Sequence, residues 1–168
     1  MRYTQVLNFP GHGIADVAAM MADPDFASWV AQQAAPDGVV DLAEVAGTAA
    51  DGFTVTVRRR VPASVIPPHL QRFVGDELEL RQAEVWEPER DGRRTGTVAL
   101  EITGTPVIMA GTAVLRPGEG GAVVEYQGTV EAGVPLIGPM IEAAAEQPVR
   151  AGMLATERAA NEWLAGRR

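Results

Sequence analysis

Residues 137–163 read IGPMIEAAAEQPVRAGMLATERAANEW, and this stretch decides the fold. On a helical wheel, Ile137, Met140, Ile141, Ala144, Ala145 and Pro148 fall on one face, followed by Ala151, Gly152, Ala155, Ala159 and Trp163. Glu142, Glu146, Arg150 and Glu157 fall on the other. That spacing predicts a long amphipathic helix. The middle of its apolar face carries Ala, Gly and Pro instead of Leu, Ile or Phe. Protein interiors are close-packed, so a helix lying flush on a sheet normally fills the gap with large side chains. Small residues there imply a very close approach or a space left open. A curved antiparallel sheet around such a helix leaves room for an apolar ligand.

Upstream of that helix the chain reads mainly as strand. Residues 2–9 alternate and end at Pro10, which predicts a first strand. Two short helices are expected next, over 14–22 and 24–35. Asp23 is a good N-cap for the second, and Pro24 at its first position loses no needed N–H. Six further strands are expected, at 39–46, 53–61, 77–86, 95–103, 107–117 and 122–133. The breaks between them are rich in Gly, Asp and Pro, so the strands form an antiparallel meander. Segment 62–75 is longer, carries three prolines and has room for a helical turn near His69. The chain is read as one domain spanning residues 1–168.

Period-two alternation assigns one face of each strand to the core. Phe53, Val55, Val57 and then Arg59 share the inner parity of one strand. Leu78 and Leu80 do so on the next, followed by Gln82, Glu84 and Trp86. Val107, Met109, Ala113 and Leu115 are chosen on a later strand, and Val124, Tyr126 and Val130 on the last. The favoured reading sends Gln82 and Glu84 outside through a bulge, or has Tyr126 span the core with its hydroxyl at the edge. Arg59 is read first as a rim residue whose stem covers apolar surface while its head reaches water. Its other reading is a partner for a ligand carboxylate or phosphate.

Composition removes whole classes of chemistry. There is no Cys, and all 14 basic residues are Arg. Disulfides, thiolate catalysis, Schiff-base lysines and phosphate-loop lysines are therefore excluded. His12 and His69 are the only histidines, Ser28 and Ser64 the only serines. Neither a credible zinc set nor a catalytic triad emerges. The formal charge of −8 argues against nucleic acid as a partner. No apolar run is long enough for stable membrane insertion. A cytoplasmic protein without cofactor or metal is expected; the sequence is silent on its oligomeric state.

Strand, two short helices, six antiparallel strands and a long C-terminal helix make the helix-grip arrangement of the α+β class. Three local features accompany it: the strand at Tyr3 to Phe9 followed by Asp16, Val17 and Ala22-Asp23-Pro24; Glu84-Val85-Trp86 at the end of a central strand; and Gly133-Val134-Pro135 before the last helix. On these grounds the chain resembles the START-like superfamily of lipid-transfer domains, plant allergen-type carriers and polyketide aromatase/cyclases. It looks most like an uncharacterised bacterial branch. The resemblance implies an internal cavity whose entrance lies near segment 62–75, the 104–106 turn and the start of the long helix. Leu70, Phe73, Pro106, Leu136 and Met140 would form its apolar gate.

The expected ligand-binding wall comprises Phe53, Val55, Val57, Arg59, Leu70, Phe73 and Leu80 on one side. Trp86, Met109, Tyr126, Met140, Ala144, Ala151 and Ala155 complete it. No catalytic residue is assigned. The leading reading is non-catalytic binding or carriage of a small hydrophobic molecule, lipid or polyketide-like. A second is a cyclase or dehydratase using Glu84, Tyr126 or Arg59. A third is a protein-interaction module with an incidental cavity.

Overall fold

A computed structural model describes residues 1–35, 37–72 and 74–166. The chain runs β1 (Arg2–Pro10), α1 (Ile14–Met21), α2 (Pro24–Gln33), β2 (Val39–Thr48) and β3 (Gly52–Pro62). It continues through α3 (Pro68–Gln71), β4 (Glu77–Trp86), β5 (Arg94–Ile102), β6 (Val107–Gly118), β7 (Gly121–Ala132) and α4 (Gly138–Leu164). Local chemistry sets the helix starts. The Asp23 carboxylate accepts from the Asp25 N–H at 2.8 Å, with Pro24 opening α2. The Asp16 carboxylate accepts from the Gly13 N–H at 2.9 Å at the start of α1. α4 continues through Pro148 as one helix.

All seven strands join one antiparallel sheet in the order β1-β7-β6-β5-β4-β3-β2. β1 and β2 are its two edges, so α1 and α2 must carry the chain from one edge to the other. α2 packs on β2 and also meets α4. Phe26 and Trp29 of α2 close on Trp163 of α4, with ring centroids 5.4 and 5.5 Å away. Helices and sheet thus form a helix-grip arrangement of the α+β class.

α4 is fastened along one side. Its Glu142 accepts from the Met1 ammonium at 2.8 Å and from the Ala132 N–H at 3.1 Å. Its Glu157 accepts from the Asn8 N–H at 2.9 Å, and Asn161 donates to the Asn8 carbonyl at 2.9 Å. These contacts seat the helix on the β1/β7 edge. They also turn it relative to the face expected from the sequence. Glu142 and Glu157 meet the sheet edge instead of facing away from it. Ala151 is exposed, Ala155 only half-buried, and Val149, Met153, Thr156 and Ala160 look inward.

Large side chains gather at one end of the sheet. Phe9, Val17, Phe26, Phe53, Trp86, Leu115 and Val124 form the main core cluster. A small second cluster of Ala35, Val61 and Leu78 lies toward the other end, with Ile66, Val74, Leu80 and Ile102 packed on it. Leu115 has 0% exposure, whereas Leu154 on the outer face of α4 has 42%. Leu115→Ala should therefore lower unfolding free energy by about 2–5 kcal/mol. Leu154→Ala should change it by no more than about 0.5 kcal/mol. Urea denaturation of the two variants checks this; similar losses would contradict the placement of the core.

Candidate functional site

Between the two clusters lies a partly open cavity of about 560 Å³. Its sheet wall is built by the inward parity of adjacent strands. Val55, Val57, Arg59 and Val61 come from β3, and Leu78, Leu80, Gln82 and Glu84 from β4. Val98, Leu100 and Ile102 of β5, Met109 of β6 and Tyr126 of β7 continue it. α4 covers the space with Ile141, Ala144, Ala145, Val149, Gly152 and Met153. Gly152 borders the cavity, and a Cβ placed on it would meet nothing within 4 Å outside its own stretch of helix. Ile66, Leu70, Val74, Pro106 and Ile137 bound the end near segment 62–75.

The expected wall residues divide. Val55, Val57, Arg59, Leu70, Leu80, Met109, Tyr126 and Ala144 do line the cavity. Phe53 and Trp86 do not: they stack at 6.4 Å within the core cluster. Met140, Ala151 and Ala155 do not line it either, because the polar ties to β1 rotate them away. Of the expected gate, Leu70 and Pro106 border the cavity, while Leu136 is 101% exposed and Met140 43% exposed. Phe73 lies outside the described residues.

Gln82 and Glu84 are turned inward, contrary to the favoured sequence reading. The β3–β4 register runs without interruption from Phe53↔Trp86 to Pro62↔Glu77, so no bulge reverses their parity. The Glu84 carboxylate accepts from Gln82 Nε2 at 3.0 Å, Trp86 Nε1 at 3.1 Å and the Tyr126 hydroxyl at 3.4 Å. Burial raises its pKa above the ordinary carboxylate value, although those hydrogen bonds act in the opposite direction. Tyr126 is pushed well up by burial and by the nearby Glu84 charge.

One more residue belongs to this cluster. In register, Val55, Glu84, Val98, Gly111, Gly128 and Tyr3 form a row across six strands. The Tyr3 hydroxyl lies where side chains at Gly111 and Gly128 would be, 2.8 and 2.7 Å from their would-be Cβ atoms. Its oxygen is buried without a hydrogen-bond partner, and burial followed by the Glu84 charge raises its pKa. Sequence reading missed this residue. The signal was there: Tyr3 shares inward parity with Leu7 and Phe9, and two glycines at inward positions clear its path. Chemically the cluster is a weak acid within reach of a phenol, bordering an apolar space. It can hold a polar ligand atom or exchange a proton with it. Among the described residues, no group of three His, Asp or Glu side chains is placed to hold a metal ion. None of the described helices is long and apolar enough to cross a membrane.

Comparison with known proteins places the chain. Residues 4–164 match the family described as "Protein of unknown function (DUF2505)", and the chain belongs to that family. An uncharacterised Mycobacterium tuberculosis protein, Rv0481c, is 31% identical over 102 residues. That stretch spans 58% of this chain and 59% of the relative's length. Among solved structures, the Zhui aromatase/cyclase from Streptomyces sp. R1128 superposes with a TM-score of 0.53 at 15% identity. That match covers 96% of this chain and 93% of the other. Ara h 8.0201 superposes with a TM-score of 0.56 at 11% identity, covering 99% of this chain and 98% of the other. At these identities the likeness is one of fold.

Glu84 makes stability depend on pH in a defined direction. Its folded pKa lies above the unfolded value of about 4.3. The folded state therefore binds this proton more tightly than the unfolded chain. The stability that Glu84 contributes is fully present below about pH 4.3 and is lost as pH rises toward the folded pKa. Glu84→Gln removes that loss. The melting temperature of the variant minus that of the parent should rise from about pH 4 upward and then level off. A flat difference would show that Glu84 ionises at no cost, and a falling one that its ionised form is favoured; either contradicts the raised pKa.

Proposed function

From membership of a family with no assigned function, and from the cavity alone, we propose that this chain binds and carries a small apolar molecule. The observation that carries the reading is an open space of about 560 Å³ with largely aliphatic walls. That volume sits within the ~300–1,000 Å³ usual for small-molecule sites. Apolar cavities stay poorly hydrated, so a ligand gains by entering. At roughly 25 cal/mol per Å², burying about 200 Å² of apolar ligand surface supplies about 5 kcal/mol. Lipid-like and polyketide-like compounds have such surfaces. Diffusion in the cytoplasm would suit a carrier. The net charge of −8 favours a small-molecule partner over nucleic acid. A pure interaction module has no use for so large an unfilled interior.

The Glu84 cluster supports a second reading, proton transfer to a ligand carbonyl in a cyclisation or dehydration. A neutral carboxylic acid beside a phenol can donate a proton to an oxygen held against it. Glu84→Gln would then abolish turnover of a polyketide-like substrate while leaving apolar uptake intact.

The carrier reading is tested by filling the gap. Gly152→Phe puts a ring where no atom beyond its own stretch of helix lies within 4 Å of the new Cβ. It should weaken uptake of an apolar fluorescent dye by about tenfold or more. Stability should hold or improve, because a helical Gly costs about 1 kcal/mol relative to Ala. Ala151→Phe on the exposed face should leave uptake unchanged. A large fall in melting temperature for Gly152→Phe would mean a filled core, and undiminished uptake would place the site elsewhere.

A further inference from the structure

The cavity wall departs from apolar at two main places, the Glu84 cluster and Arg59. Arg59 sits on the inner face of β3, between Val40 of β2 and Leu80 of β4. Its Nε is buried with no hydrogen-bond partner. It is also the only basic side chain among the described lining residues. Its neighbours are differently placed. Arg60 points outward and is held by Asp41 at 3.0 Å and by Glu77 at 3.4 Å. Arg94 is also buried and its Nε too lacks a partner, but its terminal nitrogens donate to the carbonyls of Glu87 and Ala49, it lies over the Phe53 ring and it does not border the cavity. A donor N–H taken from water without an acceptor is costly. The Nε–H of the half-buried Arg59 carries that cost where it borders the cavity.

We propose that the ligand is an acidic amphiphile, an apolar body ending in one carboxylate, and that Arg59 receives the carboxylate while the body extends toward β5, β6 and α4. This rests on the container reading above. Three features select this chemistry. A neutral ligand would leave the Arg59 donor buried and unmatched. A single guanidinium grips a carboxylate through two parallel N–H···O bonds and balances its one charge. A phosphate monoester carries close to two charges, and no second lining cation is present among the described residues to balance it. Beyond Arg59 the wall is formed by Val57, Leu80, Leu100 and Met109, so an aliphatic body meets aliphatic surface. Glu84 lies four residues from Leu80, the register partner of Arg59, about 13 Å along the sheet. Burial shifts it toward its neutral form, which lowers the cost of an apolar end reaching that depth.

The test is competition of laurate, dodecanol and dodecyl phosphate against an apolar fluorescent dye, with the parent protein, Arg59→Met and Arg59→Lys. The parent should bind laurate roughly tenfold or more tighter than dodecanol, and tighter than dodecyl phosphate. Arg59→Met should lose that preference and keep its affinity for dodecanol. Arg59→Lys should keep part of the preference. Equal binding of laurate and dodecanol by the parent overturns the assignment of a carboxylate but leaves the container standing. Tighter binding of dodecyl phosphate replaces the carboxylate with a phosphate. Equal losses of laurate and dodecanol in a folded Arg59→Met protein would reduce Arg59 to an apolar stem. If the parent takes up neither the dye nor any of the three competitors, the container reading fails as well. Should Arg59→Met not fold, the parent's order of preference and the Arg59→Lys variant still decide.

Discussion

The structure depends on how α4 is held away from most of the sheet. Glu142, Glu157 and Asn161 tie the helix to the β1/β7 edge, and Trp163 wedges its far end against Phe26 and Trp29. Between those ties the inward side chains include Ala144, Ala145 and Gly152, which are too short to reach β3, β4 and β5 across the curve. A close-packed interior would be more stable there, since unfilled volume forfeits dispersion contacts. The chain folds with this void because the main core is concentrated elsewhere, around Trp86, Leu115, Val17 and Val124. Stability and open space are thus assigned to different ends of one sheet.

The polar groups facing the void follow from strand register. Glu84, Gly111, Gly128 and Tyr3 lie in one row, so the ring of Tyr3 can cross two glycines toward the acid on β4. A side chain at either glycine would block that path. Burying a carboxyl group here disfavours its ionised form, and three donors offset part of the cost. The Arg59 Nε–H has no such partner. The cavity therefore has a carboxyl-bearing end and a cationic end separated by aliphatic wall. A wholly apolar container would need neither.

Much of this was legible in the sequence because a strand's period is two. Once Phe53, Val55 and Val57 were inward, Arg59 followed, and the same alternation placed Leu80, Met109 and Tyr126. It also placed Gln82 and Glu84 inward; the error was to invoke a bulge to avoid burying them. Helix rotation was less legible. The small residues of the helix put Ala151 and Ala155 on its inner face by periodicity, yet the rotation is set by Glu142 and Glu157 meeting donors at Met1, on β1 and on β7. Met1 and Asn8 lie more than a hundred positions away and Ala132 lies ten positions upstream at the end of β7, contacts that periodicity does not report. Phe53 and Trp86 had the right parity but sit at the filled end, a distinction that alternation does not make.

Methyl-resolved NMR during titration with an apolar ligand tests the central claim most directly, that the space between sheet and helix is a binding site. The account predicts shifts concentrated on Val55, Val57, Leu80, Leu100, Met109 and Met153, with Val85, Ile108 and Leu154 on the exposed surface unmoved. Shifts confined to Val85, Ile108 or Leu154, or no shifts with any apolar ligand, would contradict it.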